Sequence, residues 1–480
     1  MEKFTFASAQ MKTFTTLIVA LLSCLQLMAQ STKRWTIKEC IDQAWQNNLQ
    51  LSQNELQVQQ AEVNLLQSKA QVLPTLNGSA NHTYNTGRRI DPFTNQFADQ
   101  RVLSQNFSVS SGVNLFSGLT NLRSIQANQA GVKAAKFSND QLKNDIALQV
   151  TNAFLNALLA QELLVIAESQ FELAKQQTQR SKILFDAGRS AKGDLLQVEA
   201  NESNEALNVV NARNREGLAL LTLAQLLQIE DPDQFSIQAP DFSKITTALP
   251  ANQAKALYTV AVENQPGIQS ADWNVQTAEL TLKSLKGGYL PSISAFGGFG
   301  TGYSELSRKI VGTSSQQQNF GSIGGVPIIV DVDVPITELT PFNEQLDQNF
   351  NRTFGLSLNV PIFNNLRTRS QVSLQKINLE SARINAQIQR NQLRRDIQSA
   401  WFDARAAFER YQAAEKSLNA TQEAFGYMQQ RFDAGVISIF EFNNSRNQLV
   451  TAKSSLAQAR YELILRIKVL DFYQGNAITF

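Results

Sequence analysis

Apolar residues recur at intervals of three, four and seven along much of the chain, which is the spacing of an amphipathic helix. A first helix of this kind is predicted from Trp35 to Lys69, and Leu73-Pro74 ends it because proline cannot continue a helix. Further helices are predicted at 118–185, 194–228, 365–432 and 441–470. The stretch 118–185 contains no proline and would be roughly 100 Å long at 1.5 Å per residue.

Between these stretches the pattern changes to strict alternation, which predicts β-strands with two unlike faces. Segment 354–362 alternates best, since Phe354, Leu356, Leu358 and Val360 are separated by glycine, serine and asparagine. Weaker alternation occurs at 77–84, 107–115 and 292–299. Strands of this kind separate an apolar from an aqueous environment, as in a membrane barrel, although half-buried strands of a soluble sheet show the same pattern.

The strands and helices occur as one unit used twice. Phe107, Val150, Phe154 and Ala157 have counterparts 247 residues later, and an earlier block repeats at an offset of 217. The difference of 30 residues is an insertion within 304–350. We therefore expect a repeat at 30–228, a linker at 229–250 and a second repeat at 251–480 with a longer loop at 304–350.

Residues 1–29 have the pattern of a secretory signal peptide, in which Lys12 precedes an apolar run. Cys24 loosely resembles a lipoprotein acylation site, and its lipidation stays open. Cleavage after Ala29 would leave Cys40 as the remaining cysteine, so no intrachain disulfide is expected. The charge is nearly balanced, with 43 basic and 41 acidic residues, which does not indicate a nucleic-acid partner.

The sequence offers little catalytic chemistry. Its one histidine, His82, lies in a predicted strand beside Tyr84, where an interfacial side chain is a better interpretation than a metal ligand. The glycine-rich segments lack the lysine of a phosphate loop. We therefore expect no enzyme activity, no catalytic residue, no cofactor and no metal site.

Each repeat supplies two strands and a long helical hairpin, so one chain offers four strands. Four strands cannot close into a barrel, and an open edge in lipid leaves backbone groups unsatisfied at several kcal/mol each. Several chains must therefore share one barrel. Three copies would give twelve strands, a number found among outer-membrane barrels.

The export signal, the doubled strand-strand-hairpin unit and the run Val-Pro-Ile-Phe-Asn-Asn at 360–365 together resemble the TolC family of outer-membrane efflux and secretion channels. The resemblance implies a mainly α fold with a small transmembrane β part. It implies a homotrimer, with a 12-stranded barrel in outer-membrane lipid continued by a periplasmic α-helical coiled-coil barrel. Such a duct passively conducts substrates delivered by an inner-membrane RND or ABC-type pump through a periplasmic adaptor protein.

The resemblance also implies a periplasmic tip at the two helical turns. Each turn carries the phrase Phe-Asp-Ala-Gly, and these residues are the expected adaptor contacts: Phe185, Asp186, Ala187, Gly188, Phe432, Asp433, Ala434 and Gly435. The expected gate comprises the two glycines with Asp194, Glu441 and Asn444. Where some relatives place a second inward aspartate and a basic latch residue, this chain has Asn444 and Ile437, which predicts a gate of weaker charge.

Two questions stay open at the level of sequence. The acids at Asp194 and Glu441 could serve a gate, or could simply interact with the positive ends of the helices that they begin. The loop at 304–350, in which 326–334 is apolar enough for an extra strand, could be a surface hairpin or could fold over the pore mouth. The alternative function is an exported coiled-coil stalk or adhesin, which would not require a second set of strands and turns.

Overall fold

The computed structural model describes residues 34–232, 235–240 and 254–476. The predicted signal peptide, Cys24 and most of the predicted linker lie outside these residues. The first half of the chain contains, in order, β1 (Arg34–Trp35), α1 (Ile37–Asn47), α2 (Leu49–Ala70), β2 (Thr75–Asn85), β3 (Arg89–Ile90), β4 (Phe97–Ala98), β5 (Val102–Ser117), α3 (Thr120–Asp186) and α4 (Lys192–Leu226).

The second half repeats this order with an insertion. It contains β6 (Ser236–Ile237), α5 (Ala254–Asn264), α6 (Pro266–Lys286), β7 (Ser292–Ser304), β8 (Arg308–Ile323), β9 (Val326–Leu339), α7 (Phe342–Gln348), β10 (Asn351–Asn359), α8 (Arg367–Asp433) and α9 (Ile439–Tyr473). The two long helices and the two return helices have equal lengths in the two halves, 67 and 35 residues.

The prediction of one continuous helix from Trp35 to Lys69 was wrong, because the helix starts later and breaks at Asn48. Thr36 caps α1 in a capping box with Glu39. Asn48 has an extended backbone, and its side-chain oxygen accepts hydrogen bonds from the amides of Gln50 and Leu51, at 2.9 and 3.2 Å. The second repeat breaks at the matching place, between Asn264 and Pro266. Apolar periodicity continues across both breaks, so it could not reveal them.

One compact unit is helical and comprises residues 34–60, 133–273 and 383–476 of the described chain, with the gaps noted above. Its core confirms the predicted heptads, since Val150, Phe154 and Ala157 are fully buried and so are their counterparts Ile397 and Ala404. Among the described helices α3 contains an 18-residue stretch of mean hydropathy 1.5, apolar enough by composition to cross a membrane. This is weak evidence of a span, because core helices satisfy the same criterion.

The other unit, residues 61–132 and 274–382, contains the sheet. Its four antiparallel strands lie in the order β10-β7-β5-β2, so β5 and β7 join the two repeats at the centre. The register places mostly small and polar residues on one side, here called the polar face, which includes Ser79, Asn106, Ser108, Ser294, Gly302, Ser304 and Ser357. The opposite, apolar face includes Ala80, Phe107, Val109, Phe299, Phe354 and Leu356.

The predicted alternation holds within the strands, with three corrections. The strand predicted at 354–362 ends at Asn359, and Phe296 lies on the polar face, opposite Gly112 and Gly355. The third is a change of register in β5. Leu115 was expected to share a face with Phe107, but a β-bulge between Asn114 and Phe116 shifts the register. Phe116 therefore pairs with Ile293 and takes the apolar position. An extra residue at the end of a strand leaves no mark in an alternating sequence.

The insertion forms a long antiparallel hairpin. β9 confirms the strand predicted at 326–334 and extends it to Leu339, and β8 is its partner. Lys309, near the start of the hairpin, forms an ion pair with Glu344 of α7 at 2.7 Å. This ion pair raises the pKa of Lys309, mainly through the hydrogen bond to Glu344. The insertion is therefore ordered local structure, anchored at its base.

The linker contains an element that sequence analysis missed. Ser236–Ile237 pairs in parallel with Arg34–Trp35, and the ring of Trp35 contacts that of Phe235 at 6.1 Å between centroids. The first described residues and the described part of the linker are thus joined. Strands of two residues are too short to produce a periodic pattern.

Candidate functional site

The two copies of Phe-Asp-Ala-Gly fold alike. The glycines Gly188 and Gly435 have φ of +73° and +72°, a conformation in which a side chain is strained. In the first turn the amide of Arg189 donates to the carbonyl of Leu184 at 2.8 Å, and in the second that of Val436 donates to Arg431 at 2.9 Å. This six-to-one hydrogen bond ends each long helix in the same way.

The return helices start differently after these turns. Ser438 caps α9, and its hydroxyl accepts from the amide of Glu441 at 3.3 Å. In return the carboxylate of Glu441 accepts from the amide and hydroxyl of Ser438, at 2.9 and 3.1 Å. The hydrogen bond from the Ser438 amide is the main reason that the pKa of Glu441 is lowered. Glu441 is therefore a helix-capping residue whatever else it does.

The corresponding residue Asp194 has no such box, because the residue that precedes α4 is Ala191. Its carboxylate is reached by the hydroxyl of Ser190 at 3.5 Å, a marginal hydrogen bond. Asp194, Glu441 and Asn444 are all exposed, and Asn444 lies three residues beyond Glu441 on α9. The side chains at the proposed gate positions are thus exposed in the single chain. The two acids differ in their hydrogen bonds, because Glu441 belongs to a capping box and Asp194 does not.

An aromatic cluster stabilises the second turn. Phe442 is buried, stacks on Phe432 at 4.6 Å between centroids and contacts Phe425 at 5.5 Å. Ile437 is also buried, at 9% exposure. Its burial explains in physical terms why an apolar residue occupies the position where a basic latch residue was considered. The turn is held by apolar contacts rather than by a charge at that position.

Asp433 is exposed in the second turn and has an ion-pair partner in the first hairpin. Its carboxylate accepts a hydrogen bond from Arg180 of α3 at 2.7 Å. The Arg180 guanidinium also lies 6.0 Å from the centre of the Phe432 ring. An ion pair thus connects the first helical hairpin to the turn of the second. The partner is 253 positions away, so no local pattern indicates it.

A second connection, also missed by sequence analysis, centres on Arg446. Its side chain is 1% exposed and donates to Asn201 and Glu205 of α4, at 2.9 and 3.3 Å. It also reaches Gln177 of α3 at 3.4 Å. A signal did exist in the sequence, since Arg446 interrupts the apolar stripe between Phe442 and Leu449 at helical spacing. A charge at such a position indicates a buried polar contact.

The described side chains form no group of three His, Cys, Asp or Glu residues that could hold a metal ion. His82 lies on β2, where its Nδ1 is 2.7 Å from the amide nitrogen of Gln105 and its ring makes an edge contact with Tyr84. Cys40 is buried and is not part of a disulfide. The described residues form a sheet with two unlike faces and two helical hairpins that are joined by ion pairs. These features suit the wall of a channel rather than a site of covalent chemistry.

A sequence model described as outer membrane efflux protein matches residues 40–227 and 257–475. The chain belongs to the outer membrane efflux protein family. Among curated relatives, outer membrane efflux protein BepC of Brucella suis is 24% identical over 93% of this chain and 86% of its own length. Outer membrane protein TolC of Escherichia coli is 22% identical over 83% of this chain and 73% of its own.

The fold agrees with solved channels of the same kind. The CmeC outer membrane channel of Campylobacter jejuni superposes with a TM-score of 0.71 at 17% identity, covering 92% of this chain and 85% of CmeC. The chain therefore has the TolC-type fold, and the protein is an exit duct of the outer membrane with a helical periplasmic part. Channels of this type are trimers that work with adaptor and pump proteins. The family is one of channels rather than enzymes.

Proposed function

We propose that three copies of this chain share one barrel and conduct substrates delivered by a tripartite efflux or type I secretion system. The observation that carries this proposal is the sheet. Within the described part of the chain β2 and β10 each have one unpaired edge, and one face of the sheet is mainly small and polar while the other carries most of the large apolar side chains. Pairing β10 of one copy with β2 of the next satisfies both edges, and three copies give a closed ring of twelve strands. The polar face would then line the lumen.

The domain assignment follows from the same proposal. Residues 1–29 would be a removed signal peptide, and 30–228 and 251–480 the two repeats around the linker at 229–250. The two turns, at 185–194 and 432–441, would form the periplasmic tip. There the Phe-Asp-Ala-Gly residues would contact the adaptor, which connects the duct to an RND or ABC-type pump.

The gate in this proposal depends on connections between hairpins as much as on the acids. Glu441 and Asp194 would face the entrance, with Asn444 in place of a second acid. The carboxylate of Glu441 already accepts two hydrogen bonds at the start of α9. The same group would therefore both cap the helix and contribute negative charge to the closed gate. Arg180–Asp433 and the Arg446 contacts join the first hairpin to the second and would hold the closed arrangement.

The substrate would be selected upstream of the duct. A lumen lined mainly by serine, asparagine, threonine and glycine provides hydrogen-bonding groups without a shaped pocket, so it would admit drugs, metal ions, metabolites or a polypeptide alike. No residue of the polar face favours one of these classes. The energy for transport would come from the pump.

The test is reconstitution of the mature protein in planar bilayers, after its heat-modifiable migration in outer-membrane fractions has shown a folded trimer. The single-channel conductance should be low in the parent and higher in Glu441→Ala/Asp194→Ala. That result supports a water-filled tube that is closed at the tips. Folded trimer without channel activity would contradict the duct. That result would favour the exported stalk or adhesin.

A further inference from the structure

The loop between β2 and β5, residues 86–101, is a compact structure built around Asp91. The carboxylate oxygen Oδ1 accepts hydrogen bonds from the amides of Phe93 and Thr94, at 3.0 and 2.9 Å, and from the Thr94 hydroxyl at 3.1 Å. The backbone of Asp91 also bonds to Gln96 and Asn95, both at 2.9 Å. The short strands β3 and β4 continue this turn into a small hairpin. The loop is therefore folded on itself.

The same carboxylate fastens the loop to the end of the sheet. Oδ2 of Asp91 accepts a hydrogen bond from the hydroxyl of Ser304 at 2.6 Å, and both residues are 0% exposed. Gln345 holds Ser304 in turn, since its amide group accepts from the Ser304 amide at 2.8 Å and donates to the Ser304 carbonyl at 3.1 Å. Burial of Asp91 acts to raise its pKa, but the hydrogen bonds from Ser304, Thr94 and Phe93 outweigh burial and lower it.

The loop lies on the polar face of the sheet. Ser304 and Gly302 belong to that face by register. A Cβ built on Gly302 would point from the same face and lie 2.0 Å from the ring of Phe93, so the ring rests directly on this glycine. Phe93 is half-buried there, at the end of a face on which small and polar residues predominate.

We propose that loop 86–101 is an inward-folded lid, held by the Asp91–Ser304 clamp, that narrows the outer mouth of the duct and limits the size of solutes that pass. The proposal rests on the proposed function, in which the polar face lines the lumen. The threefold axis would bring three lids to the mouth, each presenting Phe93 over Gly302. The lid thus acts at the opposite end of the sheet from the long helices that follow β5 and β10.

The test places a cysteine below the lid by Ser294→Cys, on the polar face of β7, and follows its labelling in intact cells. A small thiol reagent should react quickly in every variant. A maleimide attached to a bulky polyethylene glycol should react slowly in the parent. Asp91→Ala removes a charge-assisted clamp and should raise the bulky-reagent rate about tenfold. Asp99→Ala is the matched control, because Asp99 lies in the same loop but is exposed and forms only a 3.8 Å pair with Arg88.

Two further variants protect the test against a folding defect. Phe93→Ala removes the ring and leaves the clamp, and Gly302→Ala displaces the ring, so both should also raise the bulky-reagent rate while the trimer persists. Equal rates in the parent, Asp91→Ala and Phe93→Ala would overturn the lid. If the small reagent fails to label the Ser294→Cys variant in every folded trimer, the lumen itself is contradicted, which is a failure of the proposed function instead.

Discussion

Arg180, near the end of the first long helix, donates to Asp433 in the turn of the second hairpin across 2.7 Å. The pair connects the two helical hairpins, which are equivalent copies by their repeated sequence. Asp186, the counterpart of Asp433, has no ion-pair partner among the described residues, so the connection runs in one direction only. The two turns are alike in backbone but unlike in their contacts, and the asymmetry lies where the proposed gate would open.

Replacing Arg180 by alanine should raise the open probability of the reconstituted channel. Both side chains of the pair are about half exposed, so the pair contributes less than about 1 kcal/mol and the increase should stay below about fivefold. Single-channel recording measures it, and high salt should reproduce part of the effect in the parent. Asp433→Ala should behave like Arg180→Ala. Asp186→Ala is the control, and an equal effect there would contradict a specific role for the pair.

Replacing Arg446 by leucine should destabilise the contact between α9 and the first hairpin by more than the loss of the Arg180–Asp433 pair does. The arginine is 1% exposed and the Glu205 side chain 12% exposed, so the single change leaves a largely buried carboxylate without its partner. Loss of one member of a buried pair costs about 3 kcal/mol or more. Burial lowers the pKa of Arg446 and Glu205 opposes that shift, and an arginine remains charged in either case. Hydrogen exchange of the α9 amides in purified trimer measures the loss as faster local opening.

The double variant Arg446→Leu/Glu205→Leu separates the pair from simple packing. Apolar residues of similar volume can replace a buried ion pair at little cost, so the double variant should recover much of the protection that the single variant loses. If the double variant opens as fast as the single one, the contacts to Asn201 and Gln177 carry the stability instead. That outcome would remove Glu205 from the connection between hairpins.

The sequence could predict those parts of the structure that regularly spaced or repeated residues produce. Val150, Phe154 and Ala157 recur at heptad spacing, and the structure buries all of them. Phe354 and Leu356 alternate with small residues, and the structure places them on one face. The doubled Phe-Asp-Ala-Gly predicted the turns, because glycine is the residue that adopts positive φ without strain.

Contacts between distant, non-repeating residues could not be predicted in this way. Asp91 meets Ser304, 213 positions later, through a single hydrogen bond at the end of the sheet. A polar residue in a polar loop carries no sign that it is buried. Arg446 is an intermediate case, because its place in an apolar stripe was visible although its partners were not. The proposed site residues themselves remain predictions, and the contacts around them define how to test them.

Acid should weaken the start of α9. The pKa of Glu441 is lowered from its ordinary value of 4.5, so the folded state favours the ionised carboxylate. Its contribution to stability is therefore fully present above that value and is lost as the pH falls through the lowered pKa. Hydrogen exchange at residues 439–445, corrected for the intrinsic pH dependence, should show more opening at acid pH. Glu441→Gln should remove this dependence.

A matched variant separates capping from gating at the same residue. Ser438→Ala removes the capping hydroxyl but keeps the Glu441 carboxylate. Glu441→Ala removes the carboxylate and the two hydrogen bonds that it accepts, but leaves the Ser438 hydroxyl on the backbone amide of residue 441. If the acid belongs to the gate, Glu441→Ala should raise the conductance of the reconstituted channel more than Ser438→Ala does, and Glu441→Ala/Asp194→Ala should raise it further. Equal conductance in the Ser438 and Glu441 variants would assign Glu441 to capping alone.

The adaptor contact can be tested at the two alanines of the repeated phrase, which are exposed in both turns. Ala187→Arg and Ala434→Arg each place a long charged side chain on the surface without disturbing the neighbouring glycine or the helix-ending hydrogen bond. If the turns dock onto the adaptor, each variant should reduce its co-purification about tenfold or more, because a bulky charge at a packed interface is poorly accommodated. Ala420→Arg, on an exposed part of α8 before the turn, controls for added charge. The trimer must persist in all three variants, and unchanged adaptor capture by both turn variants would move the contact to another part of the helical hairpins.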